Sequence, residues 1–242
     1  MSAMPALRSL WAACCALYED TLALVAANLI WVLLNLPLLL LLLVLLPVAP
    51  ASLSSLLLIF TWLLLFVPTP ASLALGALAR EAANADVPRL GVFFRSLRQR
   101  WRLGLVLFLI SLVVAVVALA NVYFWLVLGS GPLRFVSVLW LYAALFWLCM
   151  HVYLVPLAHH VTAPRVVDLY RRAAVLVLGH PGFSFLVLLE LMLFGALSVV
   201  FLPVYVFIGG ALVALVQAHA LREIRRRHGD LLPQAEDEIL RL

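Results

Sequence analysis

Lysine is absent from the 242 residues, and all sixteen cations are arginines. We read that as the base composition of a GC-rich genome and not as mechanism. Charge of either sign is scarce: 11% of residues are charged and 67% are hydrophobic. A soluble domain is nearer a quarter charged and half apolar. There is more apolar surface here than a water-soluble fold of this length buries, so the excess must face lipid. Cysteine is equally sparse. Cys14 and Cys15 are adjacent and Cys149 lies inside an apolar run, an arrangement that excludes a disulfide framework. Catalytic signatures are missing too. No Gly-x-Ser-x-Gly, no His-Glu-x-x-His and no Gly-rich phosphate loop occurs, and no enzyme is expected. His159, His160 and His219 lack the spacing of convergent metal ligands, so neither a metal nor another cofactor is expected.

What is present is a rhythm. Arg8 precedes the first apolar stretch. Arg80, Arg89, Arg95, Arg98, Arg100 and Arg102 follow the second. Arg165, Arg171 and Arg172 follow the fourth, and Arg222, Arg225, Arg226, Arg227 and Arg241 follow the last. Arg134 alone lies in a connection of the other parity. Arginine resists translocation, so this pattern predicts six transmembrane helices with both termini in the cytoplasm of an inner, plasma-membrane protein. The basic balance then says nothing about nucleic acid, which is not an expected partner. The arginines flank spans and meet the anionic head groups of the bilayer.

Charge-free stretches set the spans. The run from Thr21 to Ala79 has room for two spans of about 20 residues and a turn. Pro47 and Pro50, with Ala51 and Ser52, mark that turn. Spans are expected at about 21–46, 54–79, 103–128, 135–158, 183–202 and 204–221. Pro37 and Pro68 lie within the first two and are expected to kink them. Gly129, Ser130, Gly131 and Pro132 break the run between spans three and four, bracketed by the aromatic belt of Tyr123, Trp125, Trp140 and Tyr142. The turn between spans five and six must be tight, near Pro203; a single kinked re-entrant element is the alternative. Ala49-Pro50-Ala51 resembles a signal cleavage site. The apolar run before it is too long for a signal peptide and Glu19 and Asp20 precede it, so an uncleaved first span is expected.

The connections carry helical periodicity. Leu90, Phe93, Phe94, Leu97 and Trp101 form one apolar stripe, with Arg89, Arg95, Arg98 and Arg102 opposite. This predicts an amphipathic helix lying flat on the inner leaflet. Val166, Leu169, Tyr170, Ala173, Leu176 and Val177 form a second stripe, capped at Thr162 and stopped at Gly179-His180-Pro181. Leu7, Leu10, Trp11, Cys14 and Leu17 form a third. The chain thus reads as three similar units starting near residues 5, 88 and 164, each an amphipathic helix followed by a hairpin of two spans. Alternatively, basic amphipathic linkers are what any hairpin-built membrane protein carries. The whole is an all-α, polytopic membrane domain over residues 1–228, followed by a polar cytoplasmic tail at 229–242.

Asn28-Leu29-Ile30-Trp31 with Leu36-Pro37, then Pro70-Ala71 with Ala74-Leu75, then Phe93-Phe94-Arg95 and Trp101-Arg102-Leu103-Gly104 resemble the YesL-like family of bacterial integral membrane proteins. The resemblance covers about residues 10–115; beyond them it lies in hydropathy alone. The stretch between Pro37 and Pro70 is longer than the family pattern. These motifs mark span ends and are not a catalytic signature. The resemblance implies a multi-span inner-membrane protein of a family often linked with sugar-uptake gene clusters. It supplies no active-site residues.

Five residues stand out as candidate intramembrane polar sites. Glu190 sits near the middle of span five, where an acidic residue costs about 2.5–3.5 kcal/mol on insertion scales. His151 lies at similar depth in span four, and the two are expected to pair. Asn28, Asn35 and Asn121 are polar residues within spans. Asparagine glues helices through hydrogen bonds of about 0.6–2 kcal/mol; lining a substrate path is the other reading. Gly210, Ala214 and His219, with Ala218, give span six a small-residue packing face. The expected function is that of a non-enzymatic inner-membrane component accessory to carbohydrate or other solute uptake. The basic amphipathic helices would dock on anionic lipid head groups or on a membrane transport complex. The alternative is a small transporter or channel with a polar path lined by Glu190 and His151.

Overall fold

A computed structural model describes residues 4–48, 66–128, 131–160 and 165–228. Among these residues the regular structure is helical throughout. Eight helices carry the fold: α1 (Met4–Glu19), α2 (Thr21–Val48), α3 (Pro70–Ala83), α4 (Leu90–Tyr123), α5 (Val136–His160), α6 (Val166–Gly179), α7 (Pro181–Val200) and α8 (Gly210–His228). A π turn, Phe124–Leu128, extends α4, and a second, Tyr205–Gly209, leads into α8.

Local chemistry explains the breaks. Asp20 separates α1 from α2, which meet at 99°. The Thr21 hydroxyl lies 2.8 Å from the carbonyls of both Leu17 and Tyr18, serving the end of α1. Pro181 cannot continue α6, and α7 leaves it at 106°. Thr69 caps α3 by accepting from Ser72 N at 3.0 Å, with Pro70 at the first helical position.

Three stretches are long and apolar enough to cross a membrane: Leu90–Leu126, Val136–His160 and Tyr205–Arg226. The bent pairs α1–α2 and α6–α7 raise the number of candidate spans to as many as five. Two sequence expectations are corrected here. The kink expected at Pro68 is a full break, since residues 67–69 are not helical. The 14 residues of α3 span only about 21 Å, less than a hydrocarbon core of about 30 Å. The second correction concerns 90–101, which is not a separate interfacial helix. It runs unbroken into the apolar part of α4, because nothing between Arg98 and Leu105 but Gly104 weakens the helix. The turn from Ala49 to Ser52, residues 54–65 of span two, Gly129 and Ser130, the Thr162 cap and the tail 229–242 lie outside the described residues.

The buried faces also differ from the apolar stripes. In α6 the expected Leu169, Ala173, Leu176 and Val177 are buried. In α1 the buried residues are Ala6, Ser9, Ala13 and Ala16, while Leu7 and Trp11 are 56% and 73% exposed. In α4, Phe93, Ser96, Gly104 and Leu107 are buried, whereas Phe94 and Trp101 are about half exposed. Close helix approach selects small side chains for the protein-facing side, and lipid accepts the large apolar ones outside.

The inner helices α3, α5 and α8 pack against one another. Each segment expected to be amphipathic lies on the inner helix of the unit before it: α4 on α3, α6 on α5, and α1 on α8. Gly104 marks a close approach of α4 to α3. A Cβ there would lie 2.6 Å from Pro70 Cα, a backbone atom with nowhere to move.

Candidate functional site

Polar groups collect in three places. The first joins α2 to the π turn before α8. Asn28 is fully buried. Its Nδ2 donates to Val206 O at 2.7 Å and Tyr205 O at 3.3 Å, and its Oδ1 accepts from Ala211 N at 2.8 Å. The side chain thus serves backbone groups at a place where the helix ladder changes register. One turn on, Trp31 Nε1 donates to Ser72 Oγ at 3.0 Å, and the Trp31 ring lies 5.9 Å from that of Tyr205. A Cβ on Gly210 would come within 2.9 Å of Asn28 Oδ1, so glycine is what permits the approach.

The second place surrounds His151. Its Nδ1 must donate to the Trp147 carbonyl, 2.9 Å away, so the neutral ring uses Nε2 to accept from the Ser111 hydroxyl at 2.9 Å. Tyr170 OH stands 3.4 Å from Ser111 Oγ. Gln217 Nε2 donates to the His151 carbonyl at 3.3 Å. This chain ties α4, α5, α6 and α8 together. With both ring nitrogens engaged elsewhere, His151 does not take Glu190 as its partner. Glu190 lies half-buried on α7, between the buried side of Leu191 and the exposed side of Leu189, and its Oε2 is enclosed with no hydrogen-bond partner. Asn35 and Asn121 each donate to the carbonyl four residues back, Trp31 and Val117, at 2.8 Å. The five candidate residues therefore do not converge on one site.

The third place was not singled out by sequence, which read its arginines only as topology markers. The C-terminal parts of α3, α5 and α8 meet at a pocket of about 100 Å³ lined by Arg80, Asn84, Pro156, His160, Arg222 and Arg225. Among the described residues, nothing acidic lines it. Arg222 of α8 donates to the Ala83 carbonyl at the end of α3, and Arg80 of α3 donates to the His159 carbonyl at the end of α5. Arg100 of α4 donates to the neighbouring Ala158 carbonyl. Cations at the negative ends of helices are favourable by about 0.3–1 kcal/mol each. Arg225 Nη1 donates to His160 Nδ1 at 2.9 Å. His159 stands beside them, its Nε2 donating to Leu73 O at 2.8 Å. The visible signal is an apolar pair followed by Arg or His in the C-terminal half of each inner helix: Leu78-Ala79-Arg80, Leu157-Ala158-His159 and Ala220-Leu221-Arg222.

Among the described residues no group of three or more His, Cys, Asp or Glu is placed to hold a metal ion. No protein-family model, curated protein or solved structure matches this chain.

Proposed function

We propose that this chain is a non-enzymatic inner-membrane protein that serves carbohydrate or other solute uptake as an accessory component of a membrane transport complex. The observation that carries this reading is how the intramembrane polar residues are used. Asn28, Asn35, Asn121 and His151 are each occupied by hydrogen bonds within or between helices. Asn28 and His151 act as braces between helices, and the arginines gather at one end of the inner helices. The likeness to YesL-like proteins points the same way. The six-span topology with both termini in the cytoplasm belongs to this proposal and rests on the parity of the arginines. Anionic lipid head groups would meet the basic faces of α4 and α6.

The test is affinity purification of the tagged full chain from native membranes, followed by mass spectrometry, with solute uptake measured in a deletion strain. Co-purification of transporter subunits and reduced uptake of their solute are expected. Solute flux by the purified chain alone in liposomes would refute an accessory role. Topology is read by reporter fusions: Pro50 and Ser130 outside, Asp86, Asp168 and Asp230 inside. A periplasmic signal at Asp86 would end the six-span arrangement.

One observation favours the second reading, a small transporter in its own right. The enclosed, unpartnered Oε2 of Glu190 is the kind of intramembrane group that carries protons or cations in transporters. In that reading Glu190→Gln folds normally and abolishes flux in liposomes.

A further inference from the structure

We propose that the pocket between the C-terminal ends of α3, α5 and α8 is a phosphate-binding site, in which Arg80, Arg222 and Arg225 hold the anion and His160 orients Arg225. The site lies on the inner helices, apart from the amphipathic faces expected to meet lipid, and the inference does not depend on a role in uptake.

Capping explains only part of this cluster. Each guanidinium carries five N–H donors in a planar fork. Arg80, Arg222 and Arg225 each use one of them, on the His159 carbonyl, the Ala83 carbonyl and His160 Nδ1 respectively. Two helix ends, those of α3 and α5, could each be capped by an arginine pointing to open solvent. Here the three cations share one pocket with no acidic lining residue among those described, and Arg100 adds a fourth charge one carbonyl away. Gathering like charges raises the energy of the empty pocket, and an anion relieves it. The remaining forks suit the tetrahedral oxygens of phosphate, which arginine binds in paired hydrogen bonds.

Size narrows the ligand. About 100 Å³ is several times the roughly 10–15 Å³ that holds one water. That accommodates a phosphate group. The phosphate is either free in solution or part of a phospholipid head group, and the two sources share the same recognition chemistry.

The test uses the full chain purified in a maltoside detergent without phosphate. Inorganic phosphate is titrated at constant ionic strength, and the unfolding midpoint is followed. In parallel, the protein is placed in nanodiscs of phosphatidylcholine with or without phosphatidylglycerol. A saturable rise with inorganic phosphate is expected, with affinity reduced about tenfold or more by Arg80→Gln and by Arg225→Gln. Arg98→Gln, an exposed arginine outside the pocket, should leave the response to inorganic phosphate unchanged. A rise confined to phosphatidylglycerol, with the same response to the variants, assigns the site to a lipid head group. Circular dichroism and a monodisperse elution profile establish that each variant folds. Arg225→Lys keeps the charge and removes the fork, so it should weaken binding less than Arg225→Gln. No saturable rise with either probe, or an equal loss in Arg98→Gln, overturns the proposal, and the first of these is read on the unmutated chain.

Discussion

Replacing Asn28 removes one side chain and three hydrogen bonds at once. Asn28→Leu keeps the branched shape, so no cavity opens; its methyl groups are larger than the amide and add crowding to the polar loss. Ala211 N, Val206 O and Tyr205 O lose the partners they now have at 2.8, 2.7 and 3.3 Å. The Tyr205 bond is long and counts least. A buried group left unsatisfied costs about 1–3 kcal/mol. Hydrogen bonds between membrane helices measure less, about 0.6 kcal/mol on average and 1.7 at most. Two strong bonds and one weak one therefore give a loss of about 2–4 kcal/mol. Asn28→Asp keeps the acceptor for Ala211 N and donates to one carbonyl only when protonated, so its cost should grow as the pH rises and the carboxyl ionises against two carbonyl oxygens. Asn121→Leu is the control, because it removes only a bond to the carbonyl four residues back on the same helix. Its effect should stay within about 0.5 kcal/mol. Reversible unfolding in mixed detergent micelles, followed by tryptophan fluorescence, measures all three. If Asn28→Leu matches the unmutated chain within about 0.5 kcal/mol, or Asn28→Asp stays as stable as the pH rises, the bracing role assigned to Asn28 is wrong.

Other outcomes follow from the same packing. Gly104→Leu should abolish a monodisperse fold and Gly104→Ala should cost about 1–3 kcal/mol, since even a methyl group meets Pro70 backbone at 2.6 Å; an unchanged melting profile for Gly104→Ala would show that α3 and α4 are not so close. Glu190→Leu should leave stability unchanged or raise it, because the removed Oε2 has no partner to lose; a loss above about 2 kcal/mol in thermal unfolding would reveal a hidden partner. Spin labels at Arg95 and Val116 should lie about 32 Å apart by pulsed electron resonance if α4 is straight, and about 23 Å apart if a right-angle break at Gly104 lays the first part flat.

Helix positions were largely legible in the sequence because charge and proline punctuate it. Residues 135–158 were expected as a span and α5 covers Val136–His160; the helix after Pro164 stops, as expected, at Gly179-His180-Pro181. Both depend on local rules: an arginine resists burial in hydrocarbon, and proline cannot continue a helix wherever it sits. Which side of each helix faces inward was not legible. In water a large apolar stripe points to the core, but in lipid such a stripe is equally at home outside. Periodicity therefore locates the helix and leaves its rotation open, as Trp11 and Ala13 of α1 demonstrate by facing the opposite ways from those expected. Partnership was decided by tertiary structure for the same reason. His151 and Glu190 were expected at similar depth, yet it is Ser111, an unremarked residue in an apolar run, that α4 brings to the imidazole. Arg80, Arg222 and Arg225, read in the sequence as topology markers, come together in one pocket only because α3, α5 and α8 pack against one another. Each charge was set by the local cost of crossing a membrane; their convergence depends on contacts between residues more than sixty positions apart, for which the sequence holds no local signal.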